Sequence, residues 1–262
     1  MSEVNKVETT LIDCMNEGRK ALVVYITGGL GDDWIQTLHS VVEAGADVVE
    51  IGIPFSDPVM DGPVIQKAND SSMKSGSTPV SIVNDVRDES LSAPLAVMTY
   101  YNLVYRMGHE RFASDIASAG ISGCILPDLP LEELDPWSEV ASKSNIETIL
   151  LAAPTTPDER LGEICDRTAG FVYAVGLLGV TGVRSELADS AIEIASRLKK
   201  VTSKPVLVGV GIGSPEQAVE ASKVSDGVIV GSAVVNEMLS GASPEEVGTL
   251  VSSFRTALDE NF

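Results

Sequence analysis

The sequence contains few of the residues that build metal centres and disulfide frameworks. Among 262 residues there are 2 histidines and 3 cysteines, and Cys14, Cys124 and Cys165 lie far apart. Two histidines exclude a multi-histidine metal centre. An odd number of separated cysteines without a C-x-x-C pair is typical of reduced thiols in the cytoplasm. We therefore expect a cytoplasmic protein without a metal ion.

Basic residues are scarce, and long apolar runs are lacking. The chain has 18 Lys+Arg against 38 Asp+Glu, a formal net charge of −20. Nucleic acids and acidic membrane surfaces are bound through clusters of Lys and Arg, so neither is an expected partner. No apolar run reaches the roughly 18 residues that a membrane span needs, and the polar N-terminus is unlike a signal peptide. A small anionic ligand remains open, because backbone N–H groups bind phosphate without net positive charge.

Short apolar runs alternate with longer amphipathic segments. The apolar runs are nearly continuous, which is typical of parallel strands that are covered on both faces. They predict eight strands, at 21–27, 47–53, 94–100, 123–127, 147–152, 170–175, 205–210 and 227–230. Helical spacing of apolar residues and capping signals predict helices at 5–16, 33–44, 110–119, 132–143, 157–166 and 185–199, and after Ser214 and Ser243.

Eight strand–helix units without a break in composition predict a (β/α)₈ barrel. We expect one barrel domain over residues 1–262, with an extra helix at its N-terminus. An open doubly wound sheet is the competing α/β architecture. It ranks second because the glycine-rich turns come late in the chain, whereas in that fold the phosphate loop follows the first strand.

The second strand carries a candidate catalytic carboxyl. A period of two places Glu50 on one face with Val48 and Gly52, and the other face is apolar and suits the surrounding helices. Glu50 is therefore expected inside the barrel, where burial raises its pKa and favours general acid chemistry. A structural glutamate in a salt bridge is the alternative. Asp61, in the loop that follows, either joins Glu50 at the barrel mouth or serves the turn before Gly62.

Glycine-rich turns follow the last three predicted strands. They are Gly179–Gly182, Gly209–Ser214 and Gly231–Ala233, and the last two lead into helices. Backbone N–H groups at such turns and helix N-termini bind phosphate, although tight-turn glycines are the plainer interpretation. Tyr173 lies on the sixth strand, so its hydroxyl lies near the mouth if its face lines the interior.

The motifs together resemble one family. The run Glu50-Ile-Gly-Ile-Pro-Phe-Ser-Asp-Pro58 with Asp61-Gly-Pro-Val-Ile-Gln66 is similar to the signature of the tryptophan synthase α subunit. The segments 100–104, 127–133 and 179–182 and the turns at 209–212 and 231–233 match that family in order and spacing. The resemblance covers nearly the whole chain.

The resemblance implies a lyase. Its reaction is the retro-aldol cleavage of indole-3-glycerol phosphate to indole and glyceraldehyde 3-phosphate. It makes Glu50 the acid–base residue, Asp61 the partner of the indole N–H, and Tyr173 a neighbour of the reacting centre. Substrate-binding positions that it implies are Tyr25, Thr27, Tyr100, Ile125, Thr181, Gly182, Val210, Gly211, Gly231 and Ser232.

The resemblance also implies a partner. Tryptophan synthase is an α₂β₂ assembly in which indole passes to a β subunit that carries pyridoxal phosphate, and the α subunit itself needs no metal or organic cofactor. The implied partner-facing residues are Asp57, Pro58, Asn102 and Asp128.

The chain departs from the family pattern at several positions. Leu30-Gly31 replaces the usual Asp-Pro, Tyr25 replaces Phe, Val210 stands where an aromatic is common, and Gly176 replaces Ser. These changes keep open a second hypothesis, a weakened α-like subunit that acts mainly as an allosteric partner of the β subunit. A third, another phosphate-binding barrel isomerase, is disfavoured because such families lack the motif that starts at Glu50.

Overall fold

Eight parallel strands close into a barrel in which each strand pairs with the next and β8 pairs with β1. The computed structural model describes residues 6–176, 184–209 and 211–262, and for residues 184–189 it describes the backbone only. The strands are β1 (Ala21–Thr27), β2 (Val48–Gly52), β3 (Leu95–Met98), β4 (Ile121–Ile125), β5 (Glu147–Ala152), β6 (Val172–Val175), β7 (Val206–Gly209) and β8 (Gly227–Val230). The predicted (β/α)₈ fold is confirmed.

Helices surround the barrel, and more than one follows β2, β3 and β8. In the described part of the chain they are α1 (Val7–Asn16), α2 (Trp34–Glu43), α3 (Pro63–Lys74), α4 (Pro79–Asp85), α5 (Tyr101–Met107), α6 (His109–Ser118), α7 (Asp135–Lys143), α8 (Asp158–Arg167), α9 (Arg184–Leu198), α10 (Pro215–Ser222), α11 (Ser232–Ser240) and α12 (Pro244–Asn261). None of the helices described is both long enough and apolar enough to cross a bilayer.

The two faces of each strand have different neighbours. Val49, Ile51 and Ile53 belong to the large apolar cluster that the strands form with the outer helices. Val48 belongs instead to the interior cluster, together with Phe171 and residues of the other strands. The predicted orientation of β2 is therefore confirmed, and it places Glu50 inside the barrel.

The N-terminal helix covers the interior at the end of the barrel opposite the mouth. Val7, Leu11 and Cys14 of α1 pack into the interior cluster and are buried. The Glu147 carboxylate accepts hydrogen bonds from the N–H groups of Val7 (2.8 Å) and Glu8 (3.3 Å), which satisfies the first turn of α1. The barrel is thus closed at one end, and chemistry is left to the other.

One helix prediction was wrong. Segment 132–143 is not a continuous helix, because a 3₁₀ turn at Leu131–Glu133 precedes α7, which begins at Asp135. Pro136 accounts for the break, since proline lacks an N–H and is accommodated only in the first turn of a helix. The predicted helix starts after Ser214 and Ser243 are confirmed, and both side chains cap their helices.

Candidate active site

A cavity of about 460 Å³ opens where the strands run into their C-terminal loops. This is the end at which barrels of this kind hold their active sites. Its described walls are mostly apolar, and Glu50 and Asp61 are the charged residues among them. The lining residues are Tyr25, Glu50, Val59, Met60, Asp61, Gly62, Ile65, Met98, Ile125, Pro127, Leu151, Ala153, Tyr173, Val175, Gly176, Gly211, Ile212, Ile229, Gly231 and Ser232.

Glu50 is a buried carboxyl without a hydrogen-bond partner. Its side chain is 1% exposed, and neither carboxyl oxygen has a partner among the described residues. Burial, and secondly the charge of Asp61, raise the pKa of Glu50 to about 8. The salt bridge of the alternative interpretation is not formed with any described residue. Glu50 therefore holds a proton at neutral pH that it can donate.

Two side chains of α3, the helix that follows the loop, position Asp61. Asn69 on α3 donates from Nδ2 to Asp61 Oδ2 (3.1 Å), and Gln66 Nε2 donates to the backbone carbonyl of Asp61 (2.8 Å). Burial raises the pKa of Asp61 to about 6, and the hydrogen bond from Asn69 opposes that rise. Asp61 therefore stays largely ionised at neutral pH, whereas Glu50 stays protonated.

Two tyrosines lie across glycines of the neighbouring strand. A Cβ on Gly52 would lie 1.8 Å from Tyr25 Oη, and a Cβ on Gly209 would lie 2.4 Å from Tyr173 Cε1. Only glycine leaves room for these rings, because real Cβ contacts are not this short. Burial raises the pKa of both phenols, which keeps their hydroxyls protonated. The sequence left open which face of β6 lines the interior, and the structure places Tyr173 there, on the cavity wall.

The part of the cavity wall that follows β7 and β8 has the features of an anion site. Gly211, Gly231 and Ser232 line it, and Ser232 is the first residue of α11, whose first-turn N–H groups have no partner within the helix. Gly213 contributes less, since its N–H already donates to Gln217 Oε1 (2.7 Å). No Lys, Arg or His is found among the described lining residues.

The remaining predicted binding residues divide into three groups. Ile125 lines the cavity. Thr27 and Tyr100 are buried beside it without lining it, and Tyr100 accepts a hydrogen bond from the N–H of Met60 (2.9 Å) in the loop that carries Asp61. Thr181, Gly182 and Val210 lie outside the described residues.

The predicted partner-facing residues lie around the rim of the mouth. Asp57, Asn102 and Asp128 are exposed, and Pro58 is half-buried. Asp128 also has a structural contact, because its Oδ1 accepts from the N–H of Tyr101 (2.8 Å) at the start of α5. Val59, next to Pro58, is 76% exposed, which is unusual for an apolar side chain of its size.

The altered first loop has a packing reason. Leu30 is 7% exposed and belongs to a small apolar cluster with Tyr25 and Ile65 beside the cavity. Gly31 has φ +83°, a conformation that a proline ring excludes. The loop that lacks the usual Asp-Pro is thus built around Leu30, and it supports Tyr25.

Several wall residues were not found by sequence reasoning. Met98, Leu151 and Ile229 line the cavity from the interior faces of β3, β5 and β8. The alternation of residues along these strands could have identified them. However, both faces of these strands are apolar, so the alternation does not show which face lines the interior. Asn69 was missed because its helix was not predicted.

The arrangement supports proton transfer in a mostly apolar cavity. It combines a carboxyl that is protonated at neutral pH with one that is largely ionised, and its wall includes the glycine-rich turns after β7 and β8. Within the described ranges, no group of three or more His, Cys, Asp or Glu side chains could hold a metal ion.

Comparisons with known proteins point to one family. The family model "Tryptophan synthase alpha chain" matches residues 11–257. The alpha chain of Streptomyces avermitilis is 44% identical over 234 residues, 88% of this chain and 84% of that one. The alpha chain of Methanocaldococcus jannaschii is 40% identical over 238 residues, 88% and 84% of the two chains.

Solved structures agree as well. A tryptophan synthase structure from Mycobacterium tuberculosis superposes with a TM-score of 0.89 at 35% identity, over 98% of this chain and 99% of that one. The alpha chain of Legionella pneumophila gives 0.86 at 34% identity, over 98% of both chains. The chain therefore belongs to the tryptophan synthase alpha chain family, the carbon–carbon lyases that cleave indole-3-glycerol phosphate, as its motifs implied.

Proposed function

We propose that Glu50 and Asp61 divide the work of the retro-aldol cleavage between them. The observation that carries this proposal is the different surroundings of the two carboxyls, since Glu50 is 1% exposed without a partner among the described residues and Asp61 accepts a hydrogen bond from Asn69. These surroundings raise the pKa of Glu50 to about 8 and that of Asp61 only to about 6. Near pH 7 the first is an acid and the second is an anion, which is the combination that the reaction needs.

The reaction begins with a proton transfer from Glu50. Its carboxyl protonates the indole ring at C3, which gives a cationic indolenine. The Asp61 carboxylate accepts a hydrogen bond from the indole N–H and stabilises that positive charge. The Glu50 carboxylate then removes the proton from the hydroxyl of the adjacent glycerol carbon. The bond from C3 to that carbon breaks, its electron pair returns to the ring, and indole and glyceraldehyde 3-phosphate leave. Glu50 ends protonated, as it began.

The phosphate anchors the substrate away from the breaking bond. Gly211, Gly231 and Ser232 supply this site through backbone N–H groups and the N-terminus of α11. Binding energy gained there orients the reacting carbon between the two carboxyls. Thr181, Gly182 and Val210 complete the substrate site in this proposal, together with Tyr25, Thr27, Tyr100, Ile125 and Tyr173.

The rim of the mouth docks a β chain in an α₂β₂ assembly. Asp57, Pro58, Asn102 and Asp128 face that partner, and the exposed side chain of Val59 (76%) adds apolar area to the same rim. Indole then passes to the β chain, which holds the pyridoxal phosphate, and the α chain uses no cofactor of its own. The buried free cysteines suit a reducing cytoplasm.

An indole-release assay tests the proposal. Purified wild-type chain, Glu50→Gln and Asp61→Asn are given indole-3-glycerol phosphate, with and without a tryptophan synthase β chain. We expect release by the wild type, faster release with the β chain, and a loss of at least about 100-fold in both variants. Unchanged turnover in Glu50→Gln would overturn the mechanism. A wild type that releases no indole but stimulates the β chain would favour a mainly allosteric role.

A further inference from the structure

Three polar side chains share the inner faces of β1 and β2. Tyr25 pairs in register with Glu50, and Thr27 pairs with Gly52. All three are buried, with exposures of 7% for Tyr25, 1% for Glu50 and 0% for Thr27. Thr27 Oγ1 and both Glu50 oxygens have no hydrogen-bond partner among the described residues. Buried polar atoms without partners are costly and are uncommon away from functional sites.

The Tyr25 hydroxyl lies over β2 at Gly52, the residue that pairs in register with Thr27. It occupies the space above Gly52, where a Cβ would be 1.8 Å from Oη and 2.4 Å from Cζ. Gly52 is two residues beyond Glu50 on the same inner face of β2, so the hydroxyl lies one residue pair further toward the mouth than the backbone of Glu50. Burial, then the charge of Asp61, raise the pKa of this phenol; the adjacent Thr27 hydroxyl opposes the rise, and the charge of Glu50 adds to it. The phenol therefore stays protonated and remains a donor.

The proposed reaction creates a need for such a donor. When Glu50 gives its proton to the indole ring, a carboxylate is left in a buried site without a hydrogen bond. The titratable groups that face it from the described walls are Asp61, Tyr25 and Tyr173, and Asp61 is itself an anion. Of these three groups, only the two phenols can donate to it.

We propose that Tyr25 is a positioning residue for Glu50, in a chain of hydroxyls that runs from Thr27 to Tyr25 to the Glu50 carboxylate. The Thr27 hydroxyl donates to Tyr25 Oη, and the Tyr25 hydroxyl donates to the carboxylate each time Glu50 has released its proton. This series of hydrogen bonds gives a partner both to Thr27 Oγ1 and to the Glu50 carboxylate. It rests on the proposed function for its place in the reaction and on geometry alone for the contact with Glu50.

Tyr25→Phe removes the donor and keeps the ring over Gly52. We expect kcat to fall about 10- to 100-fold, the range that the loss of one hydrogen bond to a charged group gives, while KM changes less than about threefold. Thr27→Val keeps the side-chain shape and should lower kcat by a smaller factor. Tyr105→Phe, at an exposed tyrosine away from the cavity, is the matched control.

A direct titration separates this inference from the proposed function. Carbon-13 NMR follows the Glu50 carboxyl in protein labelled on its glutamate side chains, and the signal is identified by its absence in Glu50→Gln. We expect the pKa of Glu50 to rise by about one unit in Tyr25→Phe, in the same direction but less in Thr27→Val, and not at all in Tyr105→Phe.

The titration and the indole-release assay together separate the role of Tyr25 from the proposed function. A Glu50 titration in Tyr25→Phe that coincides with the wild type overturns the inference, and so does a shift seen only in Tyr173→Phe. If the wild type releases no indole while the titration moves as expected, the proposed function fails and the contact between Tyr25 and Glu50 stands.

Discussion

Tyr173 on β6 lies against Gly209 on β7, so closely that a Cβ on Gly209 would be 2.4 Å from Cε1 and 2.5 Å from Oη of the tyrosine. The two residues are on neighbouring strands, and the glycine sets the height of the ring in the cavity. We predict that Gly209→Ala displaces Tyr173 and lowers kcat/KM about 100-fold, because misplacement by about 1 Å at a reacting centre has that effect. Gly162→Ala, where an added Cβ meets nothing within 4 Å, should leave the activity unchanged. Full activity in Gly209→Ala would show that the ring position is not critical.

Asn69 maintains the ionisation of Asp61. Its Nδ2 donates to Asp61 Oδ2 (3.1 Å), and this bond opposes the rise that burial causes in the pKa of Asp61. In Asn69→Leu the pKa of Asp61 should rise by about one unit above its present value near 6. Activity at pH 6.5 should then fall several-fold, with partial recovery at pH 7.5, whereas Lys67→Ala on the same helix should match the wild type. Loss of activity by the same factor at every pH would contradict this role.

The buried Glu50 makes stability depend on pH. Its pKa rises from 4.5 to about 8 on folding, so the folded state binds this proton more tightly than the unfolded chain does. The wild type is therefore expected to lose stability as pH rises from about 4.5 through about 8. Glu50→Gln lacks this loss. Its free energy of unfolding, measured by urea denaturation, should therefore exceed that of the wild type by an amount that grows across that window toward an upper limit of about 5 kcal/mol. An advantage that is the same at pH 5 and pH 8.5 would exclude a raised pKa. Glu43→Gln, at an exposed position on α2, serves as the control.

Salt should strengthen substrate binding. The chain carries −20 formal charge, and no Lys, Arg or His is found among the described residues of the cavity wall. Added salt screens the repulsion between this charge and the anionic substrate, so KM should fall as sodium chloride increases from about 20 to about 200 mM. Binding of uncharged indole should not change. A KM that rises with salt would indicate a clamp of basic side chains instead of backbone N–H groups.

Much of the barrel follows from apolar runs and capping signals. The bounds of β1, β5 and β8 match the prediction, and a glycine directly follows both β1 and β8. Helix α3 was not predicted, since its sequence PVIQKANDSSMK is mostly polar and buries only a narrow face. A polar helix of this kind is stabilised by tertiary packing, which periodicity does not record.

The sequence predicts the site residues that lie within one strand or one motif. It does not predict contacts that depend on the register between neighbouring strands. The period of two in β2 placed Glu50 inside the barrel, and the motif from Glu50 to Gln66 identified Asp61 as its companion. The contacts of Tyr25 with Gly52 and of Tyr173 with Gly209 depend on the stagger between neighbouring strands. No single-strand pattern contains that information.

The pH dependence of kcat/KM for indole release tests the division of roles between Glu50 and Asp61 most directly. If Glu50 must be protonated and Asp61 ionised, the profile of kcat/KM against pH is bell-shaped, with its optimum near pH 7. It rises near pH 6 and falls near pH 8. Asp61→Asn assigns the rising limb, because the substrate phosphate also titrates near pH 6. An activity that rises through pH 8 to a plateau would mean that Glu50 must be ionised at the start, and it would contradict the account.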